Sequence, residues 1–152
     1  MRRQIWIKAW AARGPINLWP WFRWVHLGAV GRDGDWLLEW LECLGVARDA
    51  IVHLSCASGH AITTVAADGD NAITLFSGAN TAMSEAPLTQ WLALISLGDW
   101  LVMQNETTHQ VHAARLARSQ GACVVYSAVP FEAKAVAEVL AFLNILCANE
   151  HE

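Results

Sequence analysis

At 152 residues, with 55% hydrophobic against 16% charged residues and a net charge of -4, the chain is long enough for one domain with a real core and too apolar for general disorder. Residues 1–24 carry five Lys/Arg and no acid, whereas the rest carries five bases against fourteen acids, so no basic stripe runs along the body and nucleic acid is not an expected partner. Lys8, Arg13, Pro15, Pro20 and Arg23 break up the apolar N-terminal stretch before it reaches the roughly 20 residues needed to cross a bilayer, and Cys43, Cys56, Cys123 and Cys147 form no CxxC pair and follow no secretory segment, which reads as reduced thiols in a soluble, cytoplasmic protein.

In chain order, Val25–Gly31 is a short apolar run ending in glycine, and Asp35–Leu44 places Trp36, Leu37, Trp40, Leu41 and Leu44 at helical spacing. Ile51–Ser55, Ala61–Ala66 and Ala72–Phe76 are short β-branched segments, and the polar, Gly-containing link 67–71 between the last two predicts a hairpin. After Pro87 the pattern alternates: helix Leu88–Leu97, strand Trp100–Gln104, helix Thr108–Ser119, strand Ala122–Ser127, helix Phe131–Asn144 and strand Ile145–Ala148. Gly98 and Gly121 stand where helix C-caps are expected. Strands separated by helices of this length predict right-handed crossovers, hence an α/β fold with a mostly parallel sheet.

Seven short segments then share an order. Gly28-Ala29-Val30-Gly31-Arg32-Asp33-Gly34, Leu44-Gly45-Val46, Ser58-Gly59-His60-Ala61, Asp68-Gly69-Asp70-Asn71, Gly78-Ala79-Asn80, Gln104-Asn105-Glu106 and Asn149-Glu150-His151-Glu152 resemble, in order and rough spacing, the ribokinase-like (PfkB) carbohydrate kinases. The resemblance covers about residues 25–152. It implies an α/β sandwich with a small β lid, over about residues 51–76, above the sugar. It further implies that Glu106 is the acid that contacts the sugar, and that Asn149 with Glu152 is the N-x-x-E element that helps organise magnesium and phosphate. The bland reading of Glu106 is an acid favoured at a helix N-terminus. In the family the glycine-rich anion hole and catalytic aspartate lie downstream of the N-x-x-E element. The resemblance therefore implies a truncated kinase that does not phosphorylate a sugar on its own, and no cofactor is expected.

Residues 1–24 depart from the family, which opens with a strand and a G-G-K-G-x-N-Q sugar loop. Here Trp10-Ala11-Ala12-Arg13-Gly14-Pro15-Ile16-Asn17-Leu18 stands instead. One synonymous encoding of these residues, TGG GCG GCA AGG GGC CCA ATC AAT CTG, translates from its third base as G-G-K-G-P-N-Q-S. We hypothesise that residues 1 to about 24 are an out-of-frame translation, with the family frame regained near His26. A gene sequence whose codons cannot yield that loop rejects it. Trp6, Trp10, Trp19, Trp21 and Trp24 are expected to pack, replacing the lost first strand or covering surface left open by truncation, in preference to anchoring at a membrane surface.

A truncated sheet leaves open edges and apolar faces, so a homodimer through the lid strands is expected. The alternative function is a recruited cysteine hydrolase, a peptidase or esterase in which an imidazole deprotonates a thiol. Cys56 with His60 is its first candidate, brought together by a turn at Ser58-Gly59, and Cys147 with His151 its second; Cys43 is expected in the core. The bland reading of all four thiols is a small buried hydrophobe. His53, Cys56 and His60 match no common zinc spacing, so no metal site is expected.

Overall fold

The computed structural model describes residues 2–7 and 22–149, with side chains from Val25 to Asn149 apart from Asn71. The central sheet has six strands in the order β3-β2-β1-β6-β7-β8, where β1 is Arg2–Ile7, β2 Phe22–Val30, β3 Ile51–His53, β6 Trp100–Gln104, β7 Cys123–Ser127 and β8 Ile145–Cys147. Every pairing in it is parallel. β4 (His60–Val65) and β5 (Asn71–Phe76) form a separate antiparallel ribbon in which His60 faces Phe76, the hairpin expected from the polar link between them.

Hydrophobic burial explains the layering. Leu27, Leu101, Met103, Val124 and Tyr126 share one core with Leu88 and Leu92 of α3 (Glu85–Leu92), Ala113, Ala114 and Ala117 of α4 (Gln110–Ser119) and Val139 of α5 (Ala133–Val139). The alanine stripe of α4 lets the helix lie close to β6 and β7. Each fully buried Leu or Val contributes about 1.5–3 kcal/mol. α1 (Asp35–Cys43) stands apart from this cluster, burying only Leu38. The sheet steps from β1 through β2 to β3 in one direction and from β6 through β7 to β8 in the other. Right-handed crossovers therefore place α1 and α4 on opposite faces.

Several expectations are corrected. Expected from Leu88 to Leu97, the helix after the lid is instead α3, Glu85–Leu92, preceded by the short α2, Ala79–Ala82. Pro87 lies in the first turn of α3, where its missing N–H has no intrahelical partner to lose. Gly98 is consequently not a helix cap but lies in the turn closed by Asp99 N–H to Ser96 O at 3.0 Å, whereas Gly121, at φ 83°, does follow the C-cap of α4. The predicted helix Phe131–Asn144 is α5 followed by a 3-10 turn at Leu140–Phe142. On α1, Trp36 and Trp40 are 57% and 40% exposed, so the spacing of the indoles identified a helix without identifying its buried side. Cys43 is exposed at the end of α1, not in the core, and none of the four thiols is fully buried: Cys147 is also exposed and Cys56 and Cys123 are half-buried. β1 lies in the middle of the sheet, within the N-terminal segment expected to supply a replacement strand; residues 8–21, with Trp10, Trp19 and Trp21, lie outside the described residues.

Candidate functional site

The root of the lid is where glycine and serine chemistry is most constrained. Ser58, buried, accepts a hydrogen bond through Oγ from Gly31 N–H at 2.9 Å, and its own N–H donates to Asp33 Oδ1 at 2.8 Å. The β2–α1 turn is thereby tied to the segment that leads into β4. A Cβ on Gly31 would overlap Cys56 O and Ser58 N, so only glycine permits this approach. The Ser58 N–H and hydroxyl, then the N–H of Asp33 itself and the charge of His60, hold the Asp33 carboxyl below the ordinary 3.8, with burial acting weakly against them.

A group whose pKa is lower in the folded than in the unfolded state stabilises the fold above its unfolded value and loses that contribution as pH falls through the folded value. The melting temperature is therefore expected to fall as pH drops below 3.8 through the depressed Asp33 value. Part of this fall should vanish in Asp33→Asn. An identical pH profile for the two proteins would remove Asp33 from the account.

Cys56 and His60 are not joined. His60 Nδ1 lies 3.2 Å from Ser58 O, and its ring is paired with Phe76, centroids 5.0 Å apart and planes tilted by 35°. The Ser58-Gly59 link does not turn the imidazole onto the thiol, because the chain enters β4 extended at His60. His53 Nε2 lies 3.7 Å from Asp35 Oδ1 instead of beside Cys56. Cys147 is on the outermost strand, β8, and His151 lies outside the described residues, as does Glu152. Asn149 is described and exposed, just beyond β8. Among the described residues no group of three or more His, Cys, Asp or Glu is placed to hold a metal ion.

Glu106 is where the chemistry gathers. It follows the C-terminal end of β6, in a loop held by Asn105, whose N–H donates to Val129 O at 3.1 Å and whose Nδ2 donates to Pro130 O at 2.8 Å. The Gln110 amide in turn donates to Thr107 O at 2.9 Å and reaches Asn105 Oδ1 at 3.3 Å. Glu106 lines a cleft of about 650 Å³ between the lid and the ends of β6 and β7. His60, Phe76, Asn80, Asn105, Thr107 and Glu132 also line it. Glu106 Oε2 is buried without a hydrogen-bond partner, and so is Thr107 Oγ1. A buried carboxylate oxygen in that state is an acceptor awaiting a donor. Below, burial pushes the Tyr126 phenol up to about 12, with Glu132 adding to it, so this hydroxyl keeps its proton at neutral pH.

The sequence had singled out Glu106, and His60 for a different role. Phe76, Asn80, Asn105 and Glu132 were missed as site residues. Asn80 and Asn105 fall inside quoted motifs, so a signal existed for them; Phe76 and Glu132 fall in none.

No protein-family model matches the chain. Among curated proteins it is 36% identical over 97 residues to a ribokinase of Haemophilus influenzae, covering 62% of this chain and 31% of that protein. It is 30% identical over 129 residues to a ribokinase of Staphylococcus aureus, covering 81% of this chain and 42% of that one. Among solved structures, the ribokinase of Giardia lamblia superposes with a TM-score of 0.74 at 27% identity, over 84% of this chain and 41% of that structure. The chain thus spans less than half the length of the relatives it matches.

Proposed function

We propose, from the premise that this chain belongs to the ribokinase-like carbohydrate kinases, that its cleft binds a sugar and that the 152-residue polypeptide holds that sugar without phosphorylating it. The observation that carries the reading is the buried, unpartnered Oε2 of Glu106, a residue that lines a cleft at the C-terminal ends of parallel strands. Ligands of open α/β sheets bind at that end, and a sugar hydroxyl is the donor such an oxygen lacks. The described lining holds two carboxylates, Glu106 and Glu132, and no Lys or Arg. That electrostatic balance favours a neutral polyol and offers nothing to neutralise a transferring phosphoryl group. Asn149, with Glu152, remains in this reading as the remnant that a nucleotide's magnesium would meet. The test is an assay of purified polypeptide with ATP and D-ribose, followed by mass spectrometry. No sugar phosphate above background is expected, and steady turnover in material free of host kinases would reject the reading.

The lid supports a homodimer. Ile62, Val65, Ile73, Leu75 and Phe76 are all exposed on a two-stranded ribbon, and such a ribbon is marginal alone in water. Self-association would cover these side chains. Light scattering at micromolar concentration is expected to give twice the 16.7 kDa chain mass; a well-folded monomer would contradict the proposal. Among the described residues no helix is long and apolar enough to cross a membrane.

A further inference from the structure

We infer that His109, which is not among the residues lining the cleft, is the positioning residue that holds the Glu106 loop in register with α2. The inference rests on the sugar-binding reading of the same cleft. Glu106 lies in the segment from Asn105 to His109 that joins β6 to α4. The leading end of that segment is fixed by Asn105, through its bonds to Val129 O and Pro130 O. The trailing end is fixed by His109, whose Nε2 lies 3.1 Å from Met83 O. A carbonyl oxygen only accepts, so the ring nitrogen is the donor. Met83 directly follows α2, and Asn80 and Thr81 of α2 line the cleft together with Asn105, Glu106 and Thr107. One imidazole thus ties two groups of lining residues to each other. The backbone shows that its placement is imposed. With φ 58° and ψ 27°, His109 is the only non-glycine among the described residues at positive φ, a region that persists where the surroundings over-determine it. Here they do: His109 O accepts Ala113 N–H at 3.0 Å at the start of α4, and Nδ1 lies 3.7 Å from Glu85 Oε2. Glu85 is also held by His112, whose Nδ1 is 3.2 Å from Oε1 and whose Nε2 is 2.9 Å from Thr89 Oγ1. The contacts of His112 secure α3 to α4, whereas His109 reaches back to Met83 O and so constrains the loop that carries the unpartnered Glu106 Oε2. An acceptor that must meet a sugar hydroxyl depends on such a constraint, because a hydrogen bond weakens steeply as its geometry departs from the optimum.

The test is a mutant cycle on the 152-residue polypeptide, read by calorimetric titration with D-ribose. His109→Asn and His109→Gly both suit a left-handed backbone and a helix N-cap, and both remove the imidazole that reaches Met83 O. They therefore separate the tether from the conformation, and two variants guard against a failure of either one to fold. Each is expected to weaken ribose binding about tenfold, and by the same factor in a Glu132→Gln background. In a Glu106→Gln background the carboxylate being positioned is gone, so the further loss should be less than about twofold. Ribose affinity unchanged in both single variants would mean that His109 serves only the backbone turn, and overturns the inference. Equal losses in all three backgrounds also overturn it, because His109 would then act on the cleft or the fold as a whole. Either result leaves the sugar-binding reading standing, whereas no ribose binding by the unaltered chain removes both.

Discussion

Replacing Gly78 by alanine is expected to destabilise the fold by roughly 2–5 kcal/mol, through backbone strain together with overpacking. Gly78 has φ 46° and ψ -129°, a conformation that residues with a Cβ rarely adopt. A Cβ there would also lie 2.5 Å from Ala57 O and 2.9 Å from Gly59 N, backbone atoms of the segment that leads into β4. Either the segment after β5 or the segment before β4 must move, and the cleft moves with them because Ser77 and Asn80 line it. Gly69, at the tip of the hairpin, provides the comparison: its φ is 95° but nothing lies within 4 Å of its Cβ position. Gly69→Ala should therefore cost only the strain, about 1–3 kcal/mol. Urea denaturation of both variants separates the contributions, and equal losses would mean that the close approach at the lid root contributes nothing.

Glu106→Gln is expected to weaken sugar binding by about 10- to 150-fold, the equivalent of a hydrogen bond to a charged group worth roughly 1.5–3 kcal/mol. The amide keeps the size of the side chain but replaces one carboxylate oxygen by a donor, which a sugar hydroxyl meets less well. Folding should hardly change, because Oε2 has no hydrogen bond to lose. Glu132→Gln at the cleft margin, on an exposed residue, should weaken binding far less. If the two variants weaken binding equally, the orphaned oxygen is not the anchor and the charge of the cleft acts only diffusely.

Much of the fold was legible because chain periodicity and tertiary demand agree where strands are buried. Trp100–Gln104 was delimited to the residue, since β-branched and aromatic side chains there follow a glycine turn and precede the Asn105 loop. Disagreement arose where local chemistry has two solutions. Pro87 reads as a breaker yet is tolerated within the first turn of α3, and the two tryptophans that helped to mark α1 by their helical spacing are exposed, whereas Leu38 is the residue that α1 buries. The site was legible in its anchor: Glu106 was named, and three quoted motifs, Ser58–Ala61, Gly78–Asn80 and Gln104–Glu106, prove to line or support one cleft. Its aromatic wall was not legible. The contact of His60 with Phe76 depends on strand register across a hairpin, and a sequence expresses register only weakly when both faces of a ribbon are exposed. The thiol at Cys56 drew notice because Cys and His are near in sequence, but an extended chain separates such neighbours by about 3.3 Å per residue.

The central claim is that this polypeptide binds a sugar at Glu106, and the most direct measurement is calorimetric titration of the purified 152-residue chain with D-ribose, in the absence of nucleotide. One saturable event per chain, abolished or strongly weakened by Glu106→Gln, is the predicted result. Absence of heat and of any ligand-induced rise in melting temperature, in protein shown to be folded, would contradict the account at its foundation.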